Sequence, residues 1–249
     1  MNASPLCPLC RSSSTAYDVV DFNKSCEELR GKHLPAKGMP IQYALCDQCE
    51  LLFAVDMIGW SDEQYRDLVY NDNYAEIDPD YVSTRPVGNA AYLDGAFHAV
   101  RGQIRHLDYG GGNGVMSETL RARGWNSTSY DPFYEGRADG PGLGRFNMIT
   151  AFEVFEHVPD PAILIADLKD LLTDDGVVLF TTTVSDGQIR RSGRLTWWYA
   201  APRNGHVCIY SNKALKSLAD QGGFKVASFN PSTHMYYRTM PAYAVGILT

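Results

Sequence analysis

The sequence predicts an α/β protein, a doubly wound and mostly parallel sheet preceded by a small module built on cysteines. Three observations carry this. From residue 103 onward, apolar β-rich runs alternate with segments of helical character. A glycine-rich turn, "LDYGGGNG", leaves one such run and opens a helix. Two copies of a C-x-x-C hook, "CPLC" and "CDQC", stand before residue 50.

The hooks come first along the chain. Cys7 and Cys10 form one pair and Cys46 and Cys49 the other. Two such knuckles can close a tetrahedral four-thiolate shell around Zn²⁺, leaving no position for water or substrate, which is the property of a structural site. Disulfides or unbound thiols are the alternatives. Cys26 and Cys208 lack a partner at ligand spacing and read as ordinary residues. The hooks organise residues 1–60, and "CELLF" carries the second knuckle into an apolar strand.

Residues 61–102 read as a helical connector. Ser61 is an N-cap for a short helix, Pro79 and Pro86 break the segment after it, and "NAAYLDGAFHAVRG" reads as a second helix. Residues 103–249 then form the main domain. "QIRHLDY", "WNSTSYDP" and "FNMITAFEVF" are strands, with the helix "GVMSETLRARG" after the first. "PDPAILIADLKDLLTDDG" is a helix ending at Gly176, and "VVLFTTTV" is a strand apolar enough to be covered on both faces. "SNKALKSLADQGG" is the last helix, and "FKVASFN" and "AYAVGILT" are terminal strands.

Composition narrows the function. With 45% hydrophobic and 20% charged residues in 249, the chain has ample material for a core. A net charge of −7 argues against a polyanionic nucleic acid as partner. No apolar run is long enough for a membrane-spanning helix. The N-terminus lacks the basic-then-apolar pattern of a secretory signal, so the expected compartment is the cytoplasm, where paired cysteines hold metal before they form disulfides.

The glycine turn alone is a weak signal, since many nucleotide-binding turns look alike. The surrounding order is stronger. Glycines 110, 112 and 114 recur every second residue after Asp108, the next strand ends in Asp131, and a further strand runs into "EVFEHVPDP". With "GVVLFTTT" after the following helix, residues 100–230 resemble the class I S-adenosylmethionine-dependent methyltransferases, especially bacterial small-molecule enzymes with an "EHxxDP" segment. The resemblance implies a Rossmann-like sheet and S-adenosylmethionine as cofactor. It implies that Asp108 and the Gly110, Gly112, Asn113, Gly114 turn hold the methionine half, that Asp131 holds the ribose hydroxyls, and that Glu153 lines the donor pocket. One departure is the short, glycine-rich segment between Asp131 and Phe146, which abbreviates the element that often carries an adenine-binding acid and leaves Asp139 doubtful in that role.

Methyl transfer to a hydroxyl or an acidic carbon benefits from a general base, and in open α/β sheets the site lies at the carboxyl ends of the strands. His157, just past Glu153, is the first candidate and His206 in "PRNGHVCIYS" the second. Either could instead only lock a loop. Arg190, Arg191, Arg194 and Arg203 lie with Trp197, Trp198 and Tyr199 in a long segment before the last helix. They suggest an anionic small-molecule acceptor, such as a nucleotide-linked sugar or a carrier-linked metabolite, because guanidinium binds phosphate and carboxylate bidentately. A solvated surface with aromatics packed on the core is the plainer reading. The layout is similar to sugar C-methyltransferases with a zinc-binding N-terminal region. Alternatives are an rRNA methyltransferase with a "CPLC" knuckle, a zinc-containing binding protein without catalysis, and an NAD enzyme.

Overall fold

The computed structural model describes residues 4–134, 142–190 and 193–248. Asp139 and Arg191 lie outside the described residues. In chain order the strands are β1 (Ser14–Asp21), β2 (Pro40–Cys46), β3 (Leu52–Ala54), β4 (Arg105–Tyr109), β5 (Asn126–Tyr130), β6 (Phe146–Phe152), β7 (Leu172–Thr181), β8 (Cys208–Ile209), β9 (Lys225–Asn230) and β10 (Thr233–Tyr237). The α-helices are α1 (Asp62–Leu68), α2 (Tyr74–Ile77), α3 (Thr84–Phe97), α4 (Val115–Ala122), α5 (Pro161–Leu171) and α6 (Asn212–Gly222). They belong to two compact units, each discontinuous in sequence. One gathers residues 1–79, 155–164 and 182–218; the other gathers 80–154, 165–181 and 219–249.

The first unit holds the four-stranded antiparallel sheet β1-β2-β3-β8. Both cysteine hooks sit beside this sheet, the second at the end of β2. The distant segment around Cys208 supplies the edge strand by pairing with Leu52 and Phe53. Its core is aromatic, with Phe22, Tyr43, Phe53, Phe155, Tyr199 and Tyr210 buried. α1 begins as the sequence predicts: the Ser61 hydroxyl accepts the Gln64 N–H and the Gln64 side chain accepts the Ser61 N–H. That reciprocal capping box satisfies two helix-end donors at once.

The second unit holds a six-stranded sheet in the order β5-β4-β6-β7-β10-β9. β5, β4, β6 and β7 are parallel, while β10 runs antiparallel to both β7 and β9, so the sheet is mixed. Leu93, Phe97, Ile104, Leu120, Trp125 and Met148 belong to its core.

Three elements differ from the sequence expectation, each for a physical reason. α3 starts at Thr84 rather than near Asn89, because Pro86 falls in the first helical turn, where its missing N–H is not required. α5 stops at Leu171, and the "TDDG" that looked like its tail lies inside β7. There the pairing with β6 jumps from Phe146↔Leu172 to Met148↔Val177, so the extra residues are absorbed as a bulge. The last strand is Thr233–Tyr237, and "AYAVGILT" forms a short 3₁₀ turn over Ala242–Ala244 instead. The Asn230 carboxamide oxygen accepts the N–H groups of Ser232 and Thr233, which sets the hairpin that pairs β9 with β10.

Candidate active site and cysteine cluster

In the second unit, β4 delivers Asp108 and then turns sharply. Gly110 and Gly111 both donate N–H to the Tyr130 carbonyl, at 2.8 and 3.0 Å. Gly110, Gly112 and Gly114 take left-handed φ values of 71, 51 and 79°, which glycine adopts without steric cost. A Cβ on Gly110 would stand 2.5 Å from Val154 Cγ2, and one on Gly111 would collide with the side chains of Asp108 and Ser129. The turn is therefore shaped by backbone alone, which lets main-chain groups approach a ligand at the start of α4.

Asp131 follows β5 directly. Its two oxygens accept the N–H groups of Gly112 and Phe133, each at 2.9 Å, so the carboxylate is oriented against the turn. Asn113 donates to the Val82 carbonyl at 2.8 Å and accepts the Val115 N–H, tying the turn to the chain before α3. The Tyr81 ring lies beside Gly112, and its hydroxyl bonds that of Tyr134. At the end of β6, Glu153 holds φ at 55°, a left-handed conformation uncommon for a residue with a Cβ. Its N–H is fixed by the Thr181 hydroxyl at 2.9 Å. A cradle without room for Cβ atoms, flanked by carboxylates at successive strand ends, fits S-adenosylmethionine.

Asp108 rests on a buried polar chain with no sequence signature. Thr150 donates to its carboxylate at 3.1 Å, and His106 Nε2 lies 2.9 Å from the Thr150 hydroxyl. His106 Nδ1 is 2.8 Å from Ser127 Oγ, which is 2.9 Å from Ser117 Oγ. Burial lowers the His106 pKa to about 3, so the ring is neutral.

In the first unit the four cysteines of the hooks converge. The sulfurs of Cys7 and Cys49 are 3.6 Å apart, those of Cys10 and Cys46 are 3.4 Å apart, and all four lie within 4.8 Å of one another. A tetrahedron of 2.3 Å Zn–S bonds has edges of about 3.8 Å, so this donor set fits zinc. The two hooks share one turn: Arg11 and Glu50 are both left-handed, with φ of 62 and 63°, and each donates N–H back to the first cysteine's carbonyl. The Gln48 and Cys49 N–H groups point at Cys46 Sγ, at 3.4 and 3.3 Å. The contact between the two sulfurs holds the Cys7 thiol below its ordinary pKa and pushes that of Cys49 up. Cys208 is buried in β8 and is not one of this set.

The same unit brings the two histidines together. The rings of His157 and His206 meet edge to face, with centroids 4.9 Å apart. Nδ1 of His206 donates to the Tyr199 carbonyl at 2.7 Å, which leaves the lone pair of the neutral ring on Nε2. Nδ1 of His157 lies 3.1 Å from the Tyr70 hydroxyl. Beneath them Glu156 is fully buried and accepts the Tyr199 hydroxyl at 2.6 Å. One ligand atom each from Glu156, His157 and His206 lies within 4.8 Å of the others, so the cluster suits either a proton or a cation. Sequence reasoning named the histidines but missed Tyr70, Glu156 and Tyr199 as their neighbours, since nothing local marks contacts across so many residues. Cys26 also belongs here, its sulfur 3.9 Å from both His206 ring nitrogens.

The arginines expected to form a patch are dispersed. Arg190 is exposed, Arg194 is exposed and paired with Asp18 at 3.1 Å, and Arg203 is buried.

Comparison with known proteins is consistent with this geometry. A family model described as a methyltransferase domain matches residues 81–228. The ubiquinone biosynthesis O-methyltransferase of Actinobacillus pleuropneumoniae serotype 7 is 33% identical over 103 residues, covering 30% of this chain and 44% of that protein. The one from Aromatoleum aromaticum is 27% identical over 165 residues, covering 53% and 70%. The chain spans about half the length, or less, of most of the curated relatives it matches. Among solved structures, an O-methyltransferase family protein from Burkholderia thailandensis aligns over 72% of this chain and 63% of its own, with a TM-score of 0.48 and 13% identity. Because the family model spans more than half of its residues, the chain belongs to the methyltransferase-domain family.

Proposed function

We propose that this protein transfers a methyl group from S-adenosylmethionine to an oxygen of a small-molecule acceptor. The observation that carries the reading is the glycine turn of residues 110–114 with Asp108 and Asp131 at its flanks, in a chain of this family. The ubiquinone biosynthesis O-methyltransferases among its relatives support oxygen as the atom methylated. When bound, S-adenosylmethionine supplies a methyl carbon made electrophilic by a sulfonium.

This chain's residues bind, orient and deprotonate. Asp108, Gly110, Gly112, Asn113 and Gly114 hold the methionine half of the donor, Asp131 accepts its ribose hydroxyls, and Glu153 lines its pocket. The Gly112 and Phe133 N–H groups hold the Asp131 carboxylate against the turn. His206 takes the acceptor's proton on Nε2 while the Tyr199 carbonyl holds its Nδ1–H, and His157 stands beside it in the second role. Positioning and proton removal together account for such catalysis. The four cysteines hold a structural Zn²⁺, and the reducing cytoplasm suits those thiols.

Calorimetry with S-adenosylmethionine tests the donor half; absence of binding defeats the reading and revives a non-catalytic protein. With donor saturating, His206→Gln is expected to cut turnover by roughly 10²–10⁴-fold, the usual worth of a positioned base, and His157→Gln by less. A variant with unchanged turnover removes its histidine from the mechanism.

A further inference from the structure

Arg203 lies on the 3₁₀ turn Pro202–Asn204, two residues before Gly205 and three before His206. It is 6% exposed. Its Nη1 donates to the Val69 carbonyl at 3.0 Å. Among the described residues no carboxylate forms an ion pair with it. Burial pulls its pKa down, with only Tyr74 opposing. A carbonyl anchor needs one neutral donor. A guanidinium brings a full charge and five N–H groups in a planar fork, and burying that charge uncompensated is costly.

Its surroundings are those of the histidine pair. Val69, which anchors the guanidinium, precedes Tyr70, whose hydroxyl meets His157. A Cβ on Gly205 would stand 3.0–3.2 Å from Val69 Cγ1, the Tyr70 hydroxyl and His157 Nδ1, so these groups share one small volume. Tyr74 closes it by donating to the Asn204 carbonyl.

We propose that Arg203 is a specificity residue that binds a carboxylate on the acceptor, making the acceptor a small hydroxy acid. This rests on the methyl-transfer reading above. A single buried cation matches a monoanion. A pyrophosphate or other multiply charged group would meet one arginine here and the buried Glu156 in the same unit, while Arg190 is exposed and Arg194 is engaged with Asp18. The nucleotide-linked acceptor suggested by an arginine cluster is therefore replaced by a carboxylate read by one fork.

The test uses isosteric probes that differ by one charge, 4-hydroxybenzoate against 4-hydroxybenzamide and lactate against lactamide. Their binding is measured by calorimetry on the full chain saturated with S-adenosylhomocysteine. The wild type is expected to prefer at least one acid over its amide by tenfold or more. Arg203→Met is expected to reduce that preference to within twofold, with S-adenosylhomocysteine affinity unchanged and a thermal midpoint no lower than wild type. Arg203→Lys keeps the charge without the fork and is expected to fall between the two. Equal affinity for acid and amide in the wild type, or binding of neither, overturns the proposal. So does a preference that survives in Arg203→Met. Should the methionine variant fail to fold, a lysine variant that folds and keeps the full preference overturns the fork-binding claim. Loss of S-adenosylhomocysteine binding by the wild type would instead defeat the methyl-transfer reading itself.

Discussion

The two units place chemistry by opposite means. In the unit of the glycine turn, Asp108, the glycines to Gly114, Asp131 and Glu153 follow one another strand by strand, and each sits where its own strand ends. In the cysteine unit, Tyr70, Glu156, His157, Tyr199, Arg203 and His206 come from three separate stretches of chain. The first arrangement is a local turn repeated on a regular scaffold. The second exists only because a sheet edge at Cys208 brings residues 182–218 back to the N-terminal strands. A site of the first kind should tolerate damage elsewhere, whereas one of the second depends on every segment that closes it.

The largest effect should follow from opening the cysteine cluster. Structural zinc contributes on the order of 10 kcal/mol in small modules, so Cys46→Ser should reduce bound zinc from one per chain to none and abolish turnover. S-adenosylmethionine affinity should stay within about threefold, a change of under ~1 kcal/mol. Metal content by mass spectrometry, turnover and calorimetry on one preparation decide the matter. Donor affinity that falls together with zinc would break the contrast between the units.

The difference also explains what the sequence reveals. The glycine turn, Asp131, the capping box at Ser61 and both cysteine hooks are short-range patterns in which spacing alone dictates geometry. The Tyr199–Glu156 and Tyr70–His157 bonds join residues far apart in the chain, and no periodicity records them. The helix expected through Gly176 failed because "TDDG" satisfies a helix end and a β-bulge equally, and pairing with β6 decides between them. Pro86 misled for a related reason: its effect depends on which turn of the helix it occupies.

An intermediate effect is expected from pH, through the buried chain under Asp108. His106 in the folded protein has a pKa of about 3, below the ordinary value of 6.5. The unfolded chain therefore takes up a proton below pH 6.5 that the folded chain refuses. The stability held by the neutral ring is complete above that pH and is lost as pH falls toward 3. The full shift is worth about 5 kcal/mol, and roughly 3 kcal/mol of it is gone by pH 4.5. Urea titrations at pH 7 and 4.5 should show this difference between wild type and His106→Gln, after the carboxylates common to both cancel. Equal pH dependence in the two proteins would mean that the ring is not kept neutral. Donor affinity measured alongside reports whether Asp108 needs that chain for its orientation.

The smallest effect concerns a local device in the cysteine unit, the cap of α1. Ser61→Ala removes the hydroxyl that accepts the Gln64 N–H and unlocks the reciprocal bond from Gln64. Such a cap is worth about 1 kcal/mol. If the cysteine unit is closed mainly by its long-range contacts, the loss should appear as a shift of a few degrees in the thermal midpoint. Zinc content and turnover should remain those of the wild type. Loss of turnover beyond about twofold would mean that α1 and the adjoining Tyr70 are held by the cap rather than by the cluster. Tyr65 argues for the former outcome, because its buried hydroxyl is already fixed to the Met57 carbonyl at 2.7 Å. That bond pins the middle of α1 to the turn after β3 whether or not its first turn is capped.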